Sequence, residues 1–192
     1  NEKKLCIYNE YIPGMDMFYF IEKHCIESNS PIYRFDNCVV KNIGKEILLG
    51  LEELQYYDLV HLDLKLENLI VDEYLNVKII DFDTAKNVFK CRSLNKLQKI
   101  CGTHQYVCPE VLCGFYAHTS DIWSLGVILW ILKTGDYPYD NIELLNEVNI
   151  EDFNNYNTID NENFKCLMEE IFVLDPYERI TVEDALNHAY FD

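Results

Sequence analysis

Positive charge is scarce in this chain. Sixteen Lys and Arg stand against 33 Asp and Glu in 192 residues, for a formal charge of −17. A field of that sign repels nucleic acid and anionic lipid and draws basic protein partners, so neither a nucleic-acid nor a membrane partner is expected. Long apolar runs are also lacking. The longest, Ile122 to Leu132, is well short of the roughly 20 residues that cross a bilayer, and it reads as a buried core helix. There is no charged-then-apolar leader and no internal repeat. The chain opens at Asn1 rather than Met, as a piece of a longer protein would. None of the eight cysteines form C-x-x-C, the commonest spacing of zinc and dithiol sites.

What is present is ample apolar material, 49% of residues, enough for one compact domain of this length. Asp16 is placed to cap a helix running to His24. Asn37 to Tyr57 carries Val40, Ile43, Ile47, Leu51 and Leu54 at helical intervals, which predicts a long helix. Val60, Leu69–Val71 and the stretch 77–80 read as short strands, with a turn over 72–76. A short strand is also expected at Leu5–Tyr8. Ser120 is the expected cap of the central apolar helix, which Gly135 ends. A further helix is expected over 162–173, and Thr181 with Asp184 reads as a capping box. The polar stretch holding Asn141, Asn146, Asn149 and Asn154 reads as loop flanked by short helices.

The chemistry is concentrated in His61-Leu62-Asp63-Leu64-Lys65-Leu66-Glu67-Asn68, followed by Asp81-Phe82-Asp83. An Asp, a Lys and an Asn stand at fixed offsets in one loop, and a second Asp follows the next apolar strand. Moving a phosphoryl group from a magnesium nucleotide to a hydroxyl needs this set. A carboxylate orients the hydroxyl, a cation offsets charge on the group in flight, and oxygen ligands hold the metal.

These segments resemble the catalytic loop and metal-binding motif of eukaryotic protein kinases, H-R-D-L-K-x-x-N and D-F-G. Lys65 is similar to the serine/threonine-specific branch. Cys108-Pro109-Glu110 resembles the A-P-E that closes the activation segment. The stretch from Cys101 to Tyr106 is similar to the substrate-docking loop. Ser120 to Gly126 and Asp175 to Thr181 resemble two later family segments. The matched order implies an α+β, mostly helical fold: the C-terminal lobe of a kinase, with short strands around the catalytic loop and the β-rich N-terminal lobe absent. Residues 1–14 would be the last small-lobe strand and hinge, and 15–192 the larger lobe.

The resemblance implies ATP and Mg2+ as cofactors and basic proteins as substrates. Asp63 and Lys65 would be catalytic, and Asn68 and Asp81 would bind metal. Glu10 and Ile12 would meet adenine through hinge backbone, with Met17 and Ile70 packing on it. Asp16 and Glu67 would face ribose or a basic substrate residue. Thr103 would brace the docking loop against Asp63 and Lys65. His61 and Phe82 would stack beneath the site, Asp121 would hold the catalytic loop by its backbone, and Glu110 would pair with Arg179. Cys101, His104, Cys108, Cys113 and His118 have metal-like spacing, but three of them fall in the docking loop. Reduced thiols in a cytoplasmic or nuclear compartment are therefore expected. Cys101-Gly102-Thr103 and the stretch 135–139 are similar to the calcium/calmodulin-dependent or cyclic-nucleotide-dependent groups.

The pattern departs from the family in three places. No Gly-rich loop or strand Lys precedes the hinge, Leu62 replaces the Arg before Asp63, and Asp83 replaces the Gly of D-F-G, where left-handed backbone angles would strain an Asp. The rival expectation is a pseudokinase or binding module without phosphotransfer. Lys99 stands where relatives carry an activating phosphate, so both halves of that switch are missing. Ser93 is the sole hydroxyl between Ala85 and Gly102. Ser93→Ala in the complete protein should leave phosphotransfer intact; loss of activity in a kinase assay would overturn this reading.

Overall fold

The computed structural model describes residues 6, 8–28, 34–88, 95–140 and 148–192. Helix α4 (Ser120–Thr134) is its axis. Every residue from Ser120 to Leu132 is buried, as a helix apolar on all sides must be. Its polar atoms are satisfied inside. The Trp123 and Trp130 indoles donate to the Tyr139 hydroxyl at 2.7 Å and the Asn154 carbonyl at 3.0 Å. The Ser124 hydroxyl donates to the Tyr106 carbonyl at 2.8 Å. Gly135 ends the helix in the left-handed region, φ 82°. Ser120 is not the cap. Thr119 occupies that position, while the Ser120 hydroxyl accepts from the Ala117 N–H and donates to Glu110.

Helix α2 (Asn37–Tyr56) lays Val40, Ile43, Ile47, Leu48 and Leu51 against this core, capped by Asp36, which accepts from the Val39 N–H at 2.9 Å. Helix α1 (Met17–Ser28) is capped by Asp16, accepting from the Tyr19 N–H at 2.9 Å. Helix α3 (Pro109–Leu112) is a single turn. Helix α5 (Glu162–Ile171) is capped by Asn161 and stops two residues before the expected end. At α6 (Val182–Leu186), Thr181 accepts from the Asp184 N–H at 3.1 Å. The Asp184 carboxylate takes the cap's hydroxyl at 2.6 Å, so the box is closed through the side chain rather than the backbone.

An antiparallel sheet of β1 (Met15–Asp16), β3 (Leu69–Val71) and β4 (Val77–Ile79), in the order β1-β3-β4, receives the His61–Asn68 loop at its middle strand, β3. Asp72 makes the β3–β4 turn by accepting the N–H groups of Tyr74 and Asn76. Strand β2 (Leu59–Val60) pairs with β5 (Lys86–Asn87), and β6 (Asn95–Lys96) with β7 (Phe115–Tyr116). Two-residue strands such as β1 and β5–β7 show no alternation in the sequence, and only their partners define them. Of the strand expected at the start, Leu5 and Ile7 lie outside the described residues, while Cys6 and Tyr8 are exposed and in no strand. Short 3-10 turns at Ile150–Asp152 and Tyr156–Thr158 lie within the Asn-rich stretch rather than at its flanks; Asn141 and Asn146 lie outside the described residues. Among the described residues no helix is long and apolar enough to cross a membrane.

A buried ion pair joins the segment after α5 to α3. Arg179 donates to both Glu110 oxygens, at 2.7 and 3.0 Å, and also to the carbonyls of Val173 and Thr119. Burial alone would push the Glu110 carboxyl up; the guanidinium outweighs it and holds the carboxyl below its usual 4.5. A depressed folded-state value adds stability above the unfolded value, and that stability is lost as pH falls. Thermal stability should therefore drop as pH falls through 4.5 and below, and Glu110→Gln should flatten the drop in a pH-dependent melting series. Arg179→Ala should cost about 3–5 kcal/mol, because it strands a buried carboxylate. Where α4 crosses α5, a Cβ on Gly126 would meet the Ile171 methyl at 2.4 Å. Gly126→Ala should destabilise by about 1–3 kcal/mol in chemical denaturation.

Candidate active site

The loop after β2 is held from below. Asp121, in the first turn of α4, accepts the His61 N–H at 2.7 Å and the Leu62 N–H at 2.9 Å, one on each carboxylate oxygen. Burial pushes the Asp121 carboxyl up, and the two backbone donors pull against that push. Leu62 sits in the left-handed region at φ 65°, which costs a non-Gly residue about 1–2 kcal/mol. Its side chain is buried against the core. His61 is fully buried. Its Nε2 faces the Ile80 carbonyl at 3.0 Å and its Nδ1 accepts the Asp63 N–H at 3.3 Å, which fits the neutral tautomer protonated on Nε2.

Asp63, Lys65, Asn68 and Thr103 converge. Lys65 Nζ donates to Asp63 Oδ2 at 2.8 Å and to Thr103 Oγ1 at 3.1 Å. The Thr103 hydroxyl donates to Asp63 Oδ1 at 2.8 Å. The Asn68 amide nitrogen donates to the Asp63 carbonyl at 2.9 Å and to Oδ2 at 3.3 Å. That leaves Asn68 Oδ1 without a hydrogen bond among the described residues. Thr103 reaches the ring because Gly102 lets the Cys101–Tyr106 stretch lie against the His61–Asn68 loop. Gly102 has φ +93°, and a Cβ there would sit 2.7 Å from the Leu62 carbonyl oxygen.

Backbone pairing brings the segment before Asp81 alongside this group. The Ile80 N–H donates to the Asn68 carbonyl at 2.9 Å, so the residue after Ile80 emerges beside Asn68. Asp81 is exposed and left-handed, φ 65°. The strain expected at Asp83 is not there: Asp83 is outside the left-handed region, and Asp81 carries the unusual angle instead. Phe82 touches His61 edge-on, with ring centroids 5.2 Å apart, but is 47% exposed rather than buried beneath the site. Met17, expected against adenine, is fully buried in the core, whereas Ile70 is half-buried. Glu10 and Glu67 are exposed, and Ile12 and Asp16 are half-buried.

Some contacts had no signal in the sequence. The Thr84 hydroxyl donates to the His61 carbonyl at 2.9 Å, a bond between segments whose meeting only the fold decides. Among the described residues, the His, Cys and acidic side chains that bring three donor atoms within 4.8 Å are Cys166, Glu170 and His188, not the set with metal-like spacing. The Tyr190 N–H donates to His188 Nδ1 at 3.1 Å. The proton therefore sits on Nε2, facing Glu170, where a metal would need the lone pair. The seven described cysteines are all free.

The sequence profile of the protein kinase domain matches residues 1–191. A serine/threonine-protein kinase of Drosophila melanogaster is 32% identical over 96% of this chain, and a probable serine/threonine-protein kinase of Saccharomyces cerevisiae is 32% identical over 98%. The 3-phosphoinositide-dependent protein kinase B of Dictyostelium discoideum is 30% identical over the whole chain. The chain spans 36%, 12% and 21% of those relatives' own lengths. Matched along nearly its full length, and with the loop residues gathered as described, this chain belongs to the eukaryotic protein kinase family.

Proposed function

We propose that this chain carries the reacting face of a serine/threonine protein kinase that moves the γ-phosphoryl group of ATP to a protein Ser or Thr hydroxyl. One observation carries the reading: the closed ring of Asp63, Lys65 and Thr103, with Asn68 locking Asp63 from the other side. A solvated surface Asp would have no reason to be fixed by three side chains. Fixed as it is, Asp63 accepts the proton side of an incoming hydroxyl and aims its oxygen. Lys65 offers a point charge to the moving phosphoryl oxygens.

Asn68 and Asp81 are the magnesium ligands in this reading. Asn68 has a free amide oxygen and Asp81 an exposed carboxylate, and both are the hard oxygen donors this ion takes. Bound Mg2+ would neutralise charge on the nucleotide's phosphates. The stretch from Glu10 to Gly14 serves as the hinge, where Glu10 and Ile12 present backbone to adenine, with Ile70 flanking it. Asp16 already spends one oxygen capping α1, so the exposed Glu67 is the better partner for a basic substrate residue. The binding-module reading loses one of its supports, since Asp83 is in ordinary backbone.

In the full-length protein, Asp63→Ala should lower radiolabelled phosphate transfer by about 10²–10⁴-fold with the circular dichroism spectrum unchanged. Transfer at the wild-type rate would refute the assignment. Asn68→Ala should raise the Mg2+ concentration needed for half-maximal activity. On a peptide array, wild-type enzyme should prefer Arg or Lys near the acceptor, and Glu67→Ala should weaken that preference.

A further inference from the structure

The chain's charge is not spread evenly. Residues 84–109 hold five basic residues, Lys86, Lys90, Arg92, Lys96 and Lys99, and not one Asp or Glu. All 33 acidic residues lie outside that segment, with the other 11 basic ones. Three of the five, Lys86, Lys96 and Lys99, line one surface concavity of about 660 Å³, together with Cys101, Tyr116 and, as its single carboxylate, Asp83.

The lysines are held at defined places. Lys86 lies in β5 opposite Val60, and Lys96 in β6 opposite Phe115. The Tyr116 hydroxyl donates to the Asn87 carbonyl at 2.9 Å, tying the two strand pairs together. The Leu97 N–H donates to the Gly114 carbonyl at 2.8 Å. Four basic side chains elsewhere pair with carboxylates: Lys65 with Asp63, Lys133 with Asp160, Lys165 with Glu162, Arg179 with Glu110. Among the described residues Lys86, Lys96 and Lys99 form no ion pair, and all three are exposed. The cleft adjoins the reacting face: Gly102, part of its lining, lies against the Leu62 carbonyl.

We propose that the Lys86–Lys96–Lys99 cleft is an anion subsite that takes an acidic stretch of polypeptide, Asp/Glu or phosphorylated side chains, from the protein being phosphorylated. The substrate role rests on the function proposed above; the binding does not. The three lysines line one concavity without an ion pair among the described residues, two of them on paired strands, so docking an anion there requires no ion pair to be broken. The acidic remainder of the molecule repels the same ligand, which confines an acidic segment to this place and makes its capture sensitive to salt. Glu67 and this cleft then select opposite charges in one substrate.

The test uses the full-length protein and labelled peptides that share a basic acceptor region. One carries a tail of Glu, one a tail with phosphoserine, and one an Ala tail. Fluorescence anisotropy should show both anionic tails binding more tightly than Ala, with the gain fading at high salt. Lys86→Glu and Lys96→Glu should each weaken the anionic peptides by about tenfold or more. Lys86→Arg should retain binding, and Lys165→Glu, outside the cleft, should have no effect. In turnover assays the same reversals should raise KM for the anionic peptides and leave kcat for the Ala peptide unchanged. Equal binding of all three tails, or insensitivity to the Lys86 and Lys96 reversals, would overturn the proposal. So would equal affinity for a single-stranded oligonucleotide of matched charge, or full displacement of the peptides by millimolar inorganic phosphate. Because anisotropy needs no phosphotransfer, an inactive enzyme that still discriminates the tails would refute the kinase reading alone.

Discussion

A buried carboxylate holding two backbone N–H groups is the contact on which the rest of the site depends. Asp121 is at the start of a helix with no exposed face through most of its length. It cannot move without the core moving. By accepting from His61 and Leu62, it transmits that rigidity to a loop that would otherwise be free. The helix N-terminus also favours the negative charge there. Leu62 can be kept in a left-handed conformation because those bonds, and burial of its side chain, offset the backbone cost.

From that anchor the polar residues fall into place in sequence. Asp63 follows Leu62 by one residue, Lys65 and Asn68 turn back on it through the 3-10 turn at Leu66–Asn68, and the β3–β4 pairing brings Ile80 and then Asp81 alongside. The docking loop closes the ring from the other side through Thr103. Gly102 permits the approach, and Glu110, clamped by Arg179, fixes the far end of the same segment. Each polar group in this chain of contacts is either paired inside the protein or turned toward solvent where a substrate would stand. Low local dielectric makes the paired ones strong and costly to break.

Charge is organised on the same plan. The acidic excess covers most of the molecule, while the segment 84–109, which reaches Asp63 through Thr103, is basic. Exposed Lys86 and Lys96 stand there on short strands.

The sequence by itself determined the long elements and which polar side chains share the His61–Asn68 loop. Helical spacing in α2, an unbroken apolar run in α4 and the His61–Asn68 loop are local patterns, and local patterns survive without a fold. Asp16, Asp36 and Thr181 are cap residues whose role depends only on neighbours a turn away. Only the tertiary structure decided how distant segments meet: the two-residue strands, the exposure of Phe82, the burial of Met17, the displacement of Ser120 from cap to bridge, and the transfer of strain from Asp83 to Asp81. These turn on which surfaces cover one another and on which backbone angles the sheet edge imposes, and neither is written in the order of residues along one segment.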